Sequence, residues 1–221
     1  TYTLDGREYQ AQGRLLVGAD GASSLIRRLF QPGEELKKYI AIQEWFEVKR
    51  ADAYYSAIFD NEVTDFYSWT IPKEGFLLVG SALIPNDNAV QKFELLKKRL
   101  EKYGFDLNNK VKKEGAFILR PQAHAHIFAG SGNVALIGEA AGWISPTSAE
   151  GLSYAFRSAL ALAESMKQNP NTVLKAYRSR TKDLRANILL KNFKAPVMYN
   201  QGLRKLAMRS GLMSMREPSY K

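Results

Sequence analysis

The sequence predicts an α/β fold interrupted by an antiparallel β insertion. Three observations carry the prediction. Two short apolar runs, "LLVGAD" and "NVALIGE", each end on a carboxylate, Asp20 or Glu139, followed by small residues. That is how a buried strand looks where it gives way to a turn and helix. Residues 39–83, between them, are rich in aromatic and β-branched side chains broken by turn residues, as antiparallel strands are. After the second run come an Ala-rich segment of helical period and a basic tail. The order is part of one α/β layer, an inserted sheet, a return to the first layer, and a helical C-terminal region.

Each element follows from local chemistry. "TYTLDGREYQ" reads as two strands about Asp5-Gly6, a hairpin signal. The chain begins at Thr1, in what reads as the middle of a sheet, so a preceding segment is expected. Residues 14–19 form a buried strand, Asp20-Gly21 ends it, and residues 23–30 make one or two helical turns. "YIAIQEWFEV", "AYYSAIFD", "DFYSWTIP" and "GFLLVGSAL" supply the inserted strands. Residues 88–103 are helical, with Val90, Phe93, Leu96 and Leu100 on the apolar side and Gly104 as C-cap. Residues 114–121 form another strand, and residues 133–138 the second buried one. Thr147 or Ser148 caps a helix that runs to about Gln168. Its positions Leu152, Ala155, Phe156, Ala159, Leu160 and Ala163 are apolar and often small, which predicts a buried helix body. From Asn171 the chain is helical and basic, with a kink at Pro196. Domain boundaries are expected at 1–36, 37–121, 122–168 and 169–221.

Composition narrows the chemistry. The 221 residues contain no cysteine and two histidines, which removes thiolate nucleophiles and cysteine-ligated metals, and no metal site is expected. No apolar run approaches the length of a membrane-spanning helix. The formal charge is +10 and unevenly placed. Residues 1–150 hold 18 Lys/Arg against 19 Asp/Glu, whereas residues 151–221 hold 14 against 3. The basic third suits nucleic acid, an anionic membrane or an acidic partner, or is a solvated helical face. No nucleic-acid motif accompanies the charge.

Two segments carry candidate site residues. In "GADGASSLIRR", a strand delivers Asp20 at its carboxyl end, where ligands sit in open α/β sheets. Gly18 and Gly21 bare the backbone, and Arg27 is placed to meet a phosphate; the alternative is an ordinary turn with a capping Asp. In "NVALIGEAAGWISPTSAEG", Glu139 stands between Gly138 and Ala140-Ala141-Gly142, and Pro146 turns the chain toward a helix N-terminus that favours negative charge. His124 and His126 alternate on an expected strand, and Trp143 is either core or a ring contact.

Together "GADGASSLIRR" and "GNVALIGEAAGWISPTSAEGLSYAFRSALALAE" resemble the Asp-Gly and Gly-Asp motifs of flavoprotein monooxygenases and reductases of the p-hydroxybenzoate hydroxylase fold. "FYSWTIP" resembles the Tyr-x-Trp-x-Phe-Pro motif of the geranylgeranyl reductase family, with Ile71 in place of Phe. Glu139 stands where the family usually has Asp. The resemblance implies a partial FAD-binding Rossmann-like domain with an inserted substrate domain. It implies FAD held by Asp20, Gly21, Arg27, Gly138, Glu139, Ala140, Pro146, Ser148, Glu150 and Gly151, and an apolar isoprenoid-like substrate lined by Tyr67, Trp69 and Pro72. The implied reaction is reduction of a C=C bond by hydride from reduced flavin, with NAD(P)H or ferredoxin as electron donor; the proton donor is not identified. An FAD-dependent aromatic hydroxylase of the same fold is the alternative, and a basic membrane- or nucleic-acid-binding module without catalysis the alternative of another class. No G-x-G-x-x-G follows a strand, and "GSGN" at residues 130–133 precedes one instead. The unit that takes the ADP half of FAD is therefore expected outside this sequence, and the piece alone is expected to bind FAD weakly and to be inactive. The expected location is cytoplasmic, with peripheral membrane contact through the basic C-terminal region.

Overall fold

A computed structural model describes residues 1–33, 36–49, 54–168 and 172–211. Asn171, given above as the start of the basic helical region, and the boundary at residue 169 lie outside the described residues. The strands are β1 (Tyr2–Leu4), β2 (Arg7–Tyr9), β3 (Leu16–Gly18), β4 (Lys37–Glu47), β5 (Ser56–Ile58), β6 (Ser68–Lys73), β7 (Phe76–Leu83), β8 (Lys110–Arg120), β9 (Gly130–Ser131) and β10 (Val134–Leu136). The helices are α1 (Leu25–Phe30), α2 (Ala89–Lys102), α3 (Leu152–Gln168), α4 (Val173–Arg180), α5 (Lys182–Tyr199) and α6 (Gln201–Ser210). Mixed α/β architecture is thus the observed class.

The described residues divide into two compact units. Thr1–Leu36, Pro121–Ser145 and Glu150–Ile188 make the first; Lys37–Arg120, Pro146–Ala149 and the segment from Leu189 onward make the second.

In the first unit, β3 runs parallel to β10, which pairs antiparallel with β9. Asp5 and Gly6 both take positive φ and close the β1–β2 hairpin. The core gathers Leu136, Trp143, Tyr154, Leu184 and Ile188. Trp143 is fully buried. Its indole N–H donates to Tyr177 Oη at 2.9 Å, and the Tyr177 hydroxyl donates to the Leu136 carbonyl at 2.8 Å. Trp143 is therefore a core residue whose polar atom is satisfied internally. Burial is the main cause that pushes the Tyr177 hydroxyl up to about 12.

The second unit is a five-stranded antiparallel sheet, ordered β5-β6-β7-β4-β8. Strand alternation gives it two faces. On one, Phe93, Leu96 and Leu100 of α2 pack against Ile42, Phe46, Leu77, Val79 and Leu83. Glu44 lies on this face with its side chain almost fully buried; Lys97 at 2.9 Å, Lys110 at 3.4 Å and Lys113 at 3.7 Å compensate the charge. The other face carries Tyr39, Phe66, Tyr67 and Ala82, with Trp69 beside them.

Several sequence expectations are corrected here. The helix expected from Thr147 or Ser148 begins at Leu152. Its Leu152, Phe156 and Leu160 are 74%, 73% and 61% exposed, not buried. The buried side is Tyr154, Ser158, Leu162 and Ser165, roughly opposite at 100° per residue. Small polar residues face the core because their hydroxyls are satisfied locally: Ser158 Oγ donates to the Ala155 carbonyl and accepts from Gly138 N, both at 3.0 Å, and Ser165 Oγ donates to the Ala161 carbonyl at 2.7 Å. Leu16 and Val17 of β3, expected to be buried, are exposed, because β3 is an edge strand of the sheet among the described residues. Val90 is exposed, whereas Ala89, Phe93, Leu96 and Leu100 make the buried face of α2. His124 and His126 lie on a 3₁₀ turn, not a strand. His126 Nδ1 accepts the Gln122 amide at 3.0 Å there, and backbone bonds from His126 N and Ile127 N close the turn.

Candidate functional site

The parallel pair sets the first unit's candidate site. Leu136 lies opposite Gly18, and the Ile137 amide extends the ladder to the Gly18 carbonyl at 3.0 Å. Asp20 and Glu139 therefore leave the carboxyl ends of adjacent parallel strands, the edge at which open α/β sheets take ligands. Asp20 Oδ1 accepts from Ser24 Oγ at 2.6 Å, and Oδ2 accepts from the amides of Leu25 at 2.8 Å and Ile26 at 3.3 Å. Partial burial acts to raise its pKa, but the bonds from Ser24 and the backbone outweigh it and hold the carboxyl below its ordinary value. Asp20 is an ionised carboxylate over the start of α1, where it shares the capping of the first turn with Ser24, whose Oγ accepts the Arg27 amide at 2.9 Å. Gly21, at φ +69, supplies the left-handed residue of this turn.

Arg27, expected to meet a phosphate, is 6% exposed. One guanidinium nitrogen donates to the Ala140 carbonyl at 3.1 Å and another to the His126 carbonyl at 2.8 Å. Arg27 thus ties the Asp20 segment to the Glu139 segment through one donor from each of two guanidinium nitrogens. Glu139 itself sits half-buried on the 3₁₀ turn Gly138–Ala141. Gly142 closes that turn: its amide donates to the Glu139 carbonyl at 2.9 Å, and the Trp143 amide to the Gly138 carbonyl at 3.0 Å. Gly142 takes φ +83, and a Cβ there would overlap the His126 carbonyl oxygen.

Glu150 replaces Ser148 as the cap of α3. Its Oε1 accepts the Ser153 amide at 2.7 Å and its Oε2 the Ser153 hydroxyl at 2.9 Å, a carboxylate at the positive end of a helix. The Ser145 amide bonds the Glu150 carbonyl at 2.9 Å, and Gly151 leads directly into α3.

In the second unit, three successive carbonyls of residues 146–148 are each held by a different side chain. Arg120 Nε donates to the Pro146 carbonyl at 3.0 Å, the Tyr199 hydroxyl to the Thr147 carbonyl at 2.6 Å, and the Tyr67 hydroxyl to the Ser148 carbonyl at 2.5 Å. Ala149 follows at φ +51, a left-handed alanine held in place by this arrangement. The structure thereby joins Tyr67 of one motif to Ser148 of another. Arg120 is 5% exposed, and its guanidinium lies 4.5 Å from the Phe66 ring centroid and 4.3 Å from that of Tyr199. Burial raises the hydroxyl pKa of both Tyr67 and Tyr199 well beyond the ordinary tyrosine value, so both remain donors. Trp69 Nε1 donates to Gln43 Oε1 at 2.9 Å, and its ring covers Gly80, where any Cβ would collide with it. Pro72 lies beyond the β5 pairing, which ends at Thr70, a position that tolerates a missing N–H.

Sequence reasoning missed Arg120 and Tyr199. Arg120 did leave a signal, an arginine closing the apolar strand "AFILRP". Tyr199 left none, because its partners are far away in sequence.

No protein-family model matches the sequence. The chain is 40% identical over 211 residues to protein CbrA of Escherichia coli O6:H1, covering 96% of this chain and 57% of that protein. CbrA of Escherichia coli O157:H7 is likewise 40% identical, with 59% of it covered. The chain thus spans under three-fifths of the length of these curated relatives. Among solved structures, a geranylgeranyl bacteriochlorophyll reductase-like protein from Thermoplasma acidophilum superposes with a TM-score of 0.66 at 17% identity, over 88% of this chain and 53% of that one. PqsL, a probable FAD-dependent monooxygenase from Pseudomonas aeruginosa, gives 0.62 at 18%, over 89% and 59%. An HpxO variant from Klebsiella pneumoniae, complexed with FAD, gives 0.60 at 18%, over 90% and 57%. The fold is accordingly the one these three proteins share.

Proposed function

We propose that these residues belong to an FAD-dependent oxidoreductase. The observation that carries the reading is the pair of carboxylates, Asp20 and Glu139, at the carboxyl ends of adjacent parallel strands. The donor set fits: the ribityl and ribose hydroxyls of FAD are donors, and carboxylates are acceptors. Gly138, Ala140, Ala141 and Gly142 are small and buried, so the half-buried Glu139 is the side chain this turn leaves toward the surface. When bound, FAD supplies the hydride chemistry. This chain's residues hold and orient it: Asp20, Gly21 and Glu139 toward the hydroxyls, with Pro146, Ser148, Glu150 and Gly151 shaping the turn before α3. Arg27 acts in this reading by positioning the two segments, not by touching phosphate. The adenine half belongs to parts of the whole protein beyond these residues. The exposed β3 edge and the Leu152–Phe156–Leu160 stripe are surfaces on which a further strand and helix would pack.

For the substrate, we propose an apolar, isoprenoid-like molecule whose C=C bond is reduced, lined by Tyr67 and Trp69 on the aromatic face of the sheet; Pro72, expected beside them, pairs with Leu77 and lies on the α2 face instead. An aromatic hydroxylase is the second reading, supported by the monooxygenases among the structural neighbours. In the whole protein, Glu139→Ala is expected to weaken FAD binding about tenfold, the loss of one charge-assisted hydrogen bond of about 1.5 kcal/mol. Titration followed by flavin absorbance measures it, and unchanged affinity rejects the role of Glu139. Anaerobic reoxidation of the reduced protein by polyprenyl compounds supports the reductase; oxygen uptake coupled to hydroxylated product supports the second reading.

A further inference from the structure

The second unit's C-terminal helices present a surface that the flavin reading does not use. Between Leu184 and Gly211 the sequence holds no Asp or Glu, but Arg185, Lys191, Lys194, Arg204, Lys205 and Arg209. The end of α5 exposes Leu190, Phe193 and Val197, with Phe193 84% exposed. Their spacing of three and four residues sets them within a narrow arc of the helix. Lys194 is exposed at the margin of that arc. On α6, Leu203 and Leu206 are exposed one turn apart, and Lys205, Arg209 and Met208 are exposed as well. Arg204 is directed elsewhere, donating to the Met198 carbonyl at 2.5 Å with its guanidinium 4.6 Å from the Phe59 ring centroid.

We propose that this segment, Leu190 to Arg209, docks on an anionic lipid surface. Exposed apolar side chains flanked by cations, without a carboxylate, are the composition of a helix that lies in the membrane interface. No described helix is long and apolar enough to cross a membrane, so the mode is peripheral. A second copy is the poorer occupant: a two-fold contact would set these cations against the same cations with no carboxylate to answer them. Anionic headgroups answer them directly, and Phe193 and Leu206 enter the acyl boundary.

Co-sedimentation of the purified chain with vesicles tests this. We expect pelleting with vesicles of phosphatidylcholine mixed with phosphatidylglycerol, little with phosphatidylcholine alone, and a fall as salt rises. Phe193→Ser with Leu206→Ser, at exposed positions, is expected to cut the bound fraction about tenfold, in line with the apolar area withdrawn from the interface. Lys194→Glu with Lys205→Glu is expected to abolish it. The proposal is overturned if anionic vesicles do not bind, if neutral vesicles bind equally, or if the serine variant binds like the parent with an unchanged thermal melt. It is also overturned if the parent elutes as a dimer that the serine variant dissociates, since a second copy would then cover the surface.

Discussion

Gly142→Ala is expected to destabilise the first unit by about 3 kcal/mol, from left-handed strain of about 1–2 kcal/mol plus a steric clash of similar size. At about 2–4 °C per kcal/mol, the melting temperature falls by roughly 6–12 °C. Gly142 sits at φ +83, which alanine adopts at a cost. The steric part comes from the His126 carbonyl oxygen, which a Cβ would overlap. That oxygen cannot easily retreat, because Arg27 holds it at 2.8 Å and is itself buried. Gly132→Ala separates the two causes. Gly132 has φ +55 in the same unit, and a Cβ there meets nothing within 4 Å. It should therefore cost only the backbone strain. Equal melting temperatures for the two variants would show that the His126 contact carries no steric weight. Because Gly142 also closes the turn bearing Glu139, the whole protein with Gly142→Ala is expected to lose FAD affinity even where it folds.

That turn illustrates which parts of the molecule were readable in advance. The two strand ends, the aromatic insertion and the basic helices were legible because hydrophobic period and turn chemistry are local. The faces of α3 were not. Leu152, Phe156 and Leu160 look like a core stripe, yet Ser158 and Ser165 occupy the buried side, their hydroxyls bonded within the unit. Hydrophobicity alone assigns such serines to solvent. Arg27 has a role the sequence does not display for a related reason: only the fold reveals its bonds to two carbonyls about a hundred residues away. Glu150 was named for the cofactor, and the structure adds its cap of α3. Arg120 and Tyr199 were out of reach because their roles exist only once distant segments meet.

Arg120→Met is the second large effect, expected to destabilise the second unit by about 3 kcal/mol, the scale of removing a buried charged donor from its acceptors. Methionine fills much of the stem's volume but leaves the buried Pro146 carbonyl without its donor and removes the cation lying against Phe66 and Tyr199. It also removes the guanidinium bond to the Tyr39 hydroxyl at 3.2 Å, although that hydroxyl still donates to Asp65 Oδ1 at 3.0 Å. Arg120→Lys keeps the charge but cannot serve Pro146 and Tyr39 with one planar fork, so an intermediate melt is expected. Tyr199→Phe removes only the bond to the Thr147 carbonyl, about 1 kcal/mol. The decisive measurement is the double variant. Tyr199 both stacks on Arg120 and holds the next carbonyl of the same segment, so the two losses should fall short of additivity by about 0.5 kcal/mol or more. Strict additivity, or an Arg120→Met melt matching the parent, would mean that residues 146–149 are not held as one unit. Faster amide exchange at 147–149 in Arg120→Met, with exchange in α2 unchanged, would instead locate the loss at the segment that leads into α3.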